Sequence, residues 1–205
     1  IGADGNALDI ETRGDSAAIG FGLLTAFAAN YIFVTETVGN MSIRNVFSTT
    51  GDVRLQAQNS IIDAVDVETP SSTTTGDVTT STQKLGVDVT GQKITLVTLA
   101  GTVGTAMNEL DIDSGNSING TVTVSSFSNT YLRQSGNMYI NSIGVLSSDP
   151  TTTAFITVIA GGILNGALIA GASNVTSGRV FLSASQNIGT STKSLESTVG
   201  VIQSV

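Results

Sequence analysis

Apolar residues recur along this chain at positions i, i+2, i+4 and then i+8. The pattern fits Val53, Leu55, Ala57 and Ile61; Ile156, Val158, Ala160 and Leu164; and Val180, Leu182, Ala184 and Ile188. A further copy sets Thr95, Val97 and Leu99 ahead of Val103. Alternation with period two buries one face of a strand, and the apolar residue that follows belongs to a second, shorter strand beyond a corner. Shorter alternating runs predict more strands at Leu8 to Ile10, Met41 to Ile43, Leu85 to Val89, Leu110 to Ile112, Val122 to Val124 and Met138 to Ile140. Turn formers punctuate them at Gly39-Asn40, Gly51-Asp52, Gly91-Gln92, Gly115-Asn116, Asn119-Gly120, Gly136-Asn137 and Ser177-Gly178.

A longer period is superimposed. Ile1-Gly2-Ala3-Asp4-Gly5-Asn6-Ala7-Leu8-Asp9-Ile10 returns as Val103-Gly104-Thr105-Ala106-Met107-Asn108-Glu109-Leu110-Asp111-Ile112, and again as Ile188-Gly189-Thr190-Ser191-Thr192-Lys193-Ser194-Leu195. Two units, 1–102 and 103–187, are followed by the start of a third at 188–205. Equivalent strands recurring in the same order favour stacking of like on like in parallel register over hairpins. The expected fold is an all-β parallel β-helix. At about 20 residues per coil and roughly 4.8 Å between stacked strands, it would have about ten coils and a length of about 50 Å. Because Ile1 falls inside the repeated motif and no basic-then-apolar leader precedes it, the chain reads as an excerpt from a longer polypeptide.

The Thr/Ser-rich stretch 67–84 has no counterpart of equal length in the second unit, so it is expected to protrude as a loop. Ala17 to Val34 and Ala154 to Ala172 are uncharged and close to the length that spans a bilayer. Both carry Gly and Asn at turn-like spacing and lack clustered Lys or Arg at their ends, and the second overlaps a copy of the strand pattern. They are read as apolar coils, with Leu23 to Ala29 a bulged loop or short helix packed on the rod. Membrane insertion is not expected; an apolar face exposed there would be a contact surface.

Composition narrows the chemistry. Only 12% of residues are charged, and the chain has no Cys, His or Trp. Disulfides, thiol chemistry and thiolate metal sites are excluded, and burial must supply the stability. A formal charge of −8 repels nucleic acid and anionic lipid, so no nucleic-acid partner is expected.

Gly51-Asp52-Val53-Arg54-Leu55-Gln56-Ala57-Gln58-Asn59-Ser60-Ile61 and Val103-Gly104-Thr105-Ala106-Met107-Asn108-Glu109-Leu110-Asp111-Ile112 resemble the strand repeats of giant bacterial surface and secreted proteins of the filamentous-haemagglutinin-like adhesin type. The resemblance extends over essentially the whole chain. It implies a right-handed parallel β-helix in a long exported protein serving attachment, cell contact or an extracellular filament, and it brings no catalytic residues. The third unit departs from the pattern at Glu196-Ser197, where an apolar residue is missing.

Candidate chemistry is sparse. Asp9 and Asp111 are equivalent by repeat, Asp63 and Asp66 face opposite ways on a regular strand, and Asp111 and Asp113 share a face, which leaves a weak calcium or carboxylate-pair site as the sharpest reading against a solvated strand. Arg13-Gly14-Asp15-Ser16 matches an integrin-type tripeptide, and Gly2 to Asn6 faintly matches calcium-binding nonapeptides. Asn40, Asn119 and Asn174 head glycosylation sequons, while Asn45, Asn59, Asn108 and Asn187 are candidates for stacked ladders at corners. No catalytic, cofactor-binding or metal-binding residue is assigned, and no cofactor. The expected role is a non-enzymatic rod and contact surface, extracellular or at a bacterial cell surface. Its partners would be copies of itself, adjacent repeats, surface glycans or cell receptors. A carbohydrate-binding or carbohydrate-cleaving β-helix is the alternative.

Overall fold

The computed structural model describes residues 1–3, 5–11, 22–64 and 86–204. The chain first forms β1 (Leu8–Ile10), β2 (Leu23–Ala28), β3 (Ile32–Glu36), β4 (Met41–Ser48), β5 (Val53–Ala57) and β6 (Ile61–Asp63). It continues through β7 (Val89–Thr90), β8 (Ile94–Thr98), β9 (Leu110–Asp113), β10 (Thr121–Ser126) and β11 (Thr130–Gln134). The last strands are β12 (Met138–Val145), β13 (Thr153–Val158), β14 (Ile163–Asn165), β15 (Val175–Ala184) and β16 (Ser197–Ser204). Among the described residues there is no helix, so none is long and apolar enough to cross a membrane.

Every pairing between these strands is parallel, and the chain passes back and forth between two facing sheets, with β6 and β7 on one side of a turn and β14 and the start of β15 on one side of another. One sheet stacks β1, β3, β5, β8, β10, β12 and the first part of β15; the other stacks β2, β4, β7, β9, β11, β13 and the second part of β15. The last strand, β16, lies on β15 along both parts. The result is a parallel β-solenoid of about seven turns. Fewer turns form than the expected ten because some coils are long. Val34 pairs with Leu55, but Leu55 pairs with Leu96, so one turn takes in the whole stretch between β5 and β8. At roughly 4.8 Å per rung the stack is roughly 35 Å tall.

The core is the line of inward residues between the sheets. Val53, Leu55, Ala57 and Ile61 are fully buried while Arg54 is exposed, as period-two alternation requires. One other copy of the pattern keeps its period but shifts in phase. Ile94 and Leu96 point inward rather than Thr95 and Val97, and Leu99 is 49% exposed at a corner. In Ile94-Thr95-Leu96-Val97 both faces carry an apolar residue, so alternation alone leaves the phase open, and the pairing of Val53 with Ile94 decides it. In the copy at Ile156, Ile156 and Val158 are buried as the pattern requires, whereas Ala160 is exposed and Ile163 rather than Leu164 points inward beyond the corner. Leu23–Ala28, expected as a bulged loop or short helix, is a strand whose pairing with β4 shifts register after Leu24. Val89–Thr90 is all that the run Leu85 to Val89 contributes, Leu85 lying outside the described residues.

Corners need polar groups, because a bending backbone turns some N–H and C=O groups away from the next rung. Thr98 Oγ1 donates to Gly101 O at 2.8 Å, Ser126 Oγ to Ser128 O at 2.7 Å, and Gln134 Nε2 to Asn137 O at 2.5 Å. Asparagines link one coil to the next: Asn40 Oδ1 accepts from Ser60 N at 3.0 Å and Asn137 Oδ1 from Gly162 N at 2.8 Å. Among the described residues no buried side-chain nitrogen or oxygen lacks a partner.

The two sequence units map onto this frame with their sheets exchanged. By repeat β1 corresponds to β9, β3 to β11, β4 to β12 and β5 to β13, and each pair is split between the two sheets. One unit therefore winds through a half-integral number of turns. The stretch 67–84 falls outside the described residues; of the strands on either side of it, β6 and β7 continue two parts of β4, as β14 and the start of β15 continue two parts of β12.

Candidate functional site

The motif that opens each unit folds the same way three times. Ala3 N and O bond Asn6 O and N, Thr105 N bonds Asn108 O at 2.9 Å, and Thr190 N bonds Lys193 O at 2.9 Å, closing a small loop that stands off the sheet. Its leading glycines, Gly2, Gly104 and Gly189, have φ of 66°, 66° and 71°. A Cβ on Gly104 would lie 2.3 Å from Tyr131 O, and one on Gly2 would lie 2.3 Å from Phe33 O. Only glycine fits, because the loop begins directly beneath the next rung.

In the second unit this loop carries Glu109 onto the outer face of its sheet. Arg133, on the next rung, forks onto Asp111 through Nε and Nη2. Thr157, one rung further, donates to Glu109 Oε1 at 3.0 Å. Burial raises the Glu109 carboxyl above its ordinary pKa, opposed by the Thr157 hydrogen bond and the Arg133 charge. Beside this cluster Tyr131, Phe155 and Phe181 stack rung upon rung, with centroids 4.9 Å and 4.5 Å apart. Their faces are spent on one another, so the stack presents ring edges outward.

Behind the loop lies a buried acid pair. Asp63 ends β6 and Asp88 precedes β7, so they bracket the stretch leading out to 67–84. Asp88 accepts the N–H of Asp111 at 2.9 Å and hydrogen-bonds the carboxyl of Asp63, which requires a shared proton. Burial first, then the charge of Asp63, pushes Asp88 up to about 9. The second unit holds amides at these places. Asn174 Nδ2 donates to Asn165 Oδ1 at 3.1 Å and to Ile140 O at 2.7 Å, and Asn174 Oδ1 accepts from Glu196 N at 2.9 Å.

The structure thus brings Asp63, Asp88 and Asp111 together, and the sequence reading had singled out Asp63 and Asp111 but not Asp88, Glu109 or Arg133. A usable signal existed: Asp63 and Asp88 flank one loop as Asn165 and Asn174 flank the other. Asp113 turns away to accept from Gly115 N at 2.9 Å. Asp66 and Arg13 to Ser16 lie outside the described residues, as does Asp4 of the nonapeptide-like stretch. Asn174 is fully buried, so its sequon is closed to glycosylation in the folded chain, whereas Asn119 is exposed. The Asn45, Asn59, Asn108 and Asn187 ladder does not form as one stack, since Asn45 sits within β4 and Asn108 in the standing loop. Among the described residues no group of three or more acids is disposed to hold a metal ion.

No family model, curated protein or solved structure matches this chain. The carboxyl groups of Asp111 and Glu109 are held in place by Arg133 and Thr157. The carboxyl pushed up furthest among the described residues, Asp88, is buried in the wall of the solenoid. Exposed apolar groups sit elsewhere, at the corner column Leu99, Phe127 and Leu146, exposed by 49%, 47% and 64%. A run of this kind on successive rungs suits contact with another surface.

Proposed function

We infer that the chain is a structural, non-catalytic segment of a long bacterial surface or secreted protein of the filamentous-haemagglutinin-like kind, acting as a stiff rod and contact surface outside the cell. One observation carries the reading: each unit is laid on its predecessor by the same contacts. Val103 stacks on Ile61 as Ile188 stacks on Ile163, and Gly104 N bonds Ile61 O at 2.8 Å as Gly189 N bonds Ile163 O at 2.8 Å. A rule that lays unit on unit extends an axis without limit, and solenoid stability grows with each interface added. The apolar corner column gives such a rod a lateral surface for copies of itself or for receptors.

The test is to insert a second copy of residues 103–187 and measure particles by electron microscopy. A rod should lengthen by roughly 17 Å per added unit at roughly 4.8 Å per rung. Particles of unchanged length, or loss of strand signal in circular dichroism, would count against the reading.

A further inference from the structure

The outer face above β1 differs from its counterpart above β9 in a way that assigns it a ligand. In the second unit, Glu109 and Arg133 place one carboxylate and one guanidinium over the sheet, engaged with Thr157 and Asp111. By repeat and pairing, the corresponding residues of the first unit are Ala7 for Glu109, Thr35 for Arg133, Asp9 for Asp111 and Gln56 for Thr157. Arg54 stands where Phe155 does, and Phe33 where Tyr131 does. Where the smaller Ala7 and Thr35 replace Glu and Arg, a groove of about 310 Å³ opens beneath the standing loop, lined by these six residues among others. Among the described residues, the side chains of Asp9, Thr35, Arg54 and Gln56 make no hydrogen bond or ion pair.

The first unit thus lacks one anion and one cation that the second supplies for itself, and keeps a carboxylate and a guanidinium of its own. Asp9 and Arg54 lie on diagonal positions, two rungs and two residues apart, or roughly 12 Å between backbones at the usual strand spacings. An arginine side chain and a ligand charged at both ends can together bridge such a span.

We propose that this groove binds a small zwitterion of the α-amino-acid class, its carboxylate held by Arg54 and Gln56 and its ammonium by Asp9. Both charges are then paired as Asp111 and Glu109 are paired in the second unit, and charge-assisted bonds of this kind are the strong ones. Phe33, Ala3 and Ala7 give the ligand side chain an apolar wall, which favours an aromatic or aliphatic amino acid. The proposal does not depend on the rod reading, whose test is particle length.

The probe is L-phenylalanine titrated into the whole chain and followed by backbone amide NMR shifts. Saturable shifts at residues 6–9, 33–35 and 54–56 are expected. N-acetyl-L-phenylalanine, which lacks the cation, and L-phenylalaninamide, which lacks the anion, should each bind about tenfold more weakly, the worth of one charged hydrogen bond. The double variant Ala7→Glu, Thr35→Arg rebuilds the second unit's own pairing and should abolish binding while the remaining spectrum stays folded. Arg54→Gln, exposed and harmless to the core, should weaken binding similarly. Unshifted resonances, equal binding of either derivative, undiminished binding by the double variant, or stronger binding of glucuronate would each overturn the assignment.

Discussion

Asp88 and Asn174 hold one position in two successive repeats: each accepts, at 2.9 Å, the backbone N–H of the residue beginning the next rung, Asp111 in one case and Glu196 in the other. A protonated carboxyl and an amide have nearly the same shape, and each offers a donor and an acceptor. The fold therefore asks for a neutral group here, and the first unit meets the demand by keeping a proton on Asp88.

That proton makes stability depend on pH. The folded value of about 9 exceeds the ordinary 3.8, so the unfolded chain releases the proton first as pH rises. The stabilisation is complete below about 4 and is lost progressively up to about 9, with a slope of at most about 1.4 kcal/mol per pH unit. Denaturant unfolding across that window should show the decline, and Asp88→Asn should flatten it and raise stability at neutral pH. An unchanged slope in the variant would dismiss the shared proton.

Transplanting the acids should transplant the behaviour. Asn165→Asp with Asn174→Asp is expected to add a second declining component of the same sign to the stability profile. Asn174→Ala, by contrast, should cost about 3 kcal/mol at every pH, since it leaves Ile140 O and Glu196 N without their buried partner. Chemical unfolding at acid and neutral pH separates the two.

Charge scanning tests the register of the core. Leu55→Asp and Leu96→Asp each place an unpaired charge among fully buried residues and should unfold the local coils. Leu99→Asp, at an exposed corner, should shift the melting midpoint little. If Leu99→Asp proved the more damaging, the inward phase of β8 would be wrong.

Glycine substitution tests the standing loop. Gly104→Ala combines a φ of 66° with a Cβ 2.3 Å from Tyr131 O, and strain plus overlap should cost about 3 kcal/mol or more. Gly115→Ala has a φ of 76° but nothing within 4 Å, so it should cost only about 1 to 2 kcal/mol. Thermal melts of the two variants give the comparison.

Stacked parallel strands could be read from the sequence wherever one face alone was apolar, as at Val53, Leu55 and Ala57. Where both faces carried apolar side chains, as at Ile94 to Val97, period survived but phase did not. Leu23 to Ala28 was misread because a run of mixed small and large apolar residues carries no clean alternation; its pairing with β4 is a long-range choice. The duplicated motif marked where each unit begins but not the loop it folds into, and the Asp63–Asp88 pair went unseen, because the two acids meet through space across a long stretch of sequence. Asn at corners was foreseen as a type and misplaced as positions, since a corner is fixed by the rung below it rather than by its own residues.

The exchange of sheets between repeats has a geometric outcome for anything the solenoid displays. A feature carried by one repeat, such as the stacked rings of Tyr131, Phe155 and Phe181, would emerge on the opposite flank in the next, like leaves set alternately along a stem. Two repeats are needed before a binding feature faces the same way again, so a partner reaching from one side would meet only every second copy.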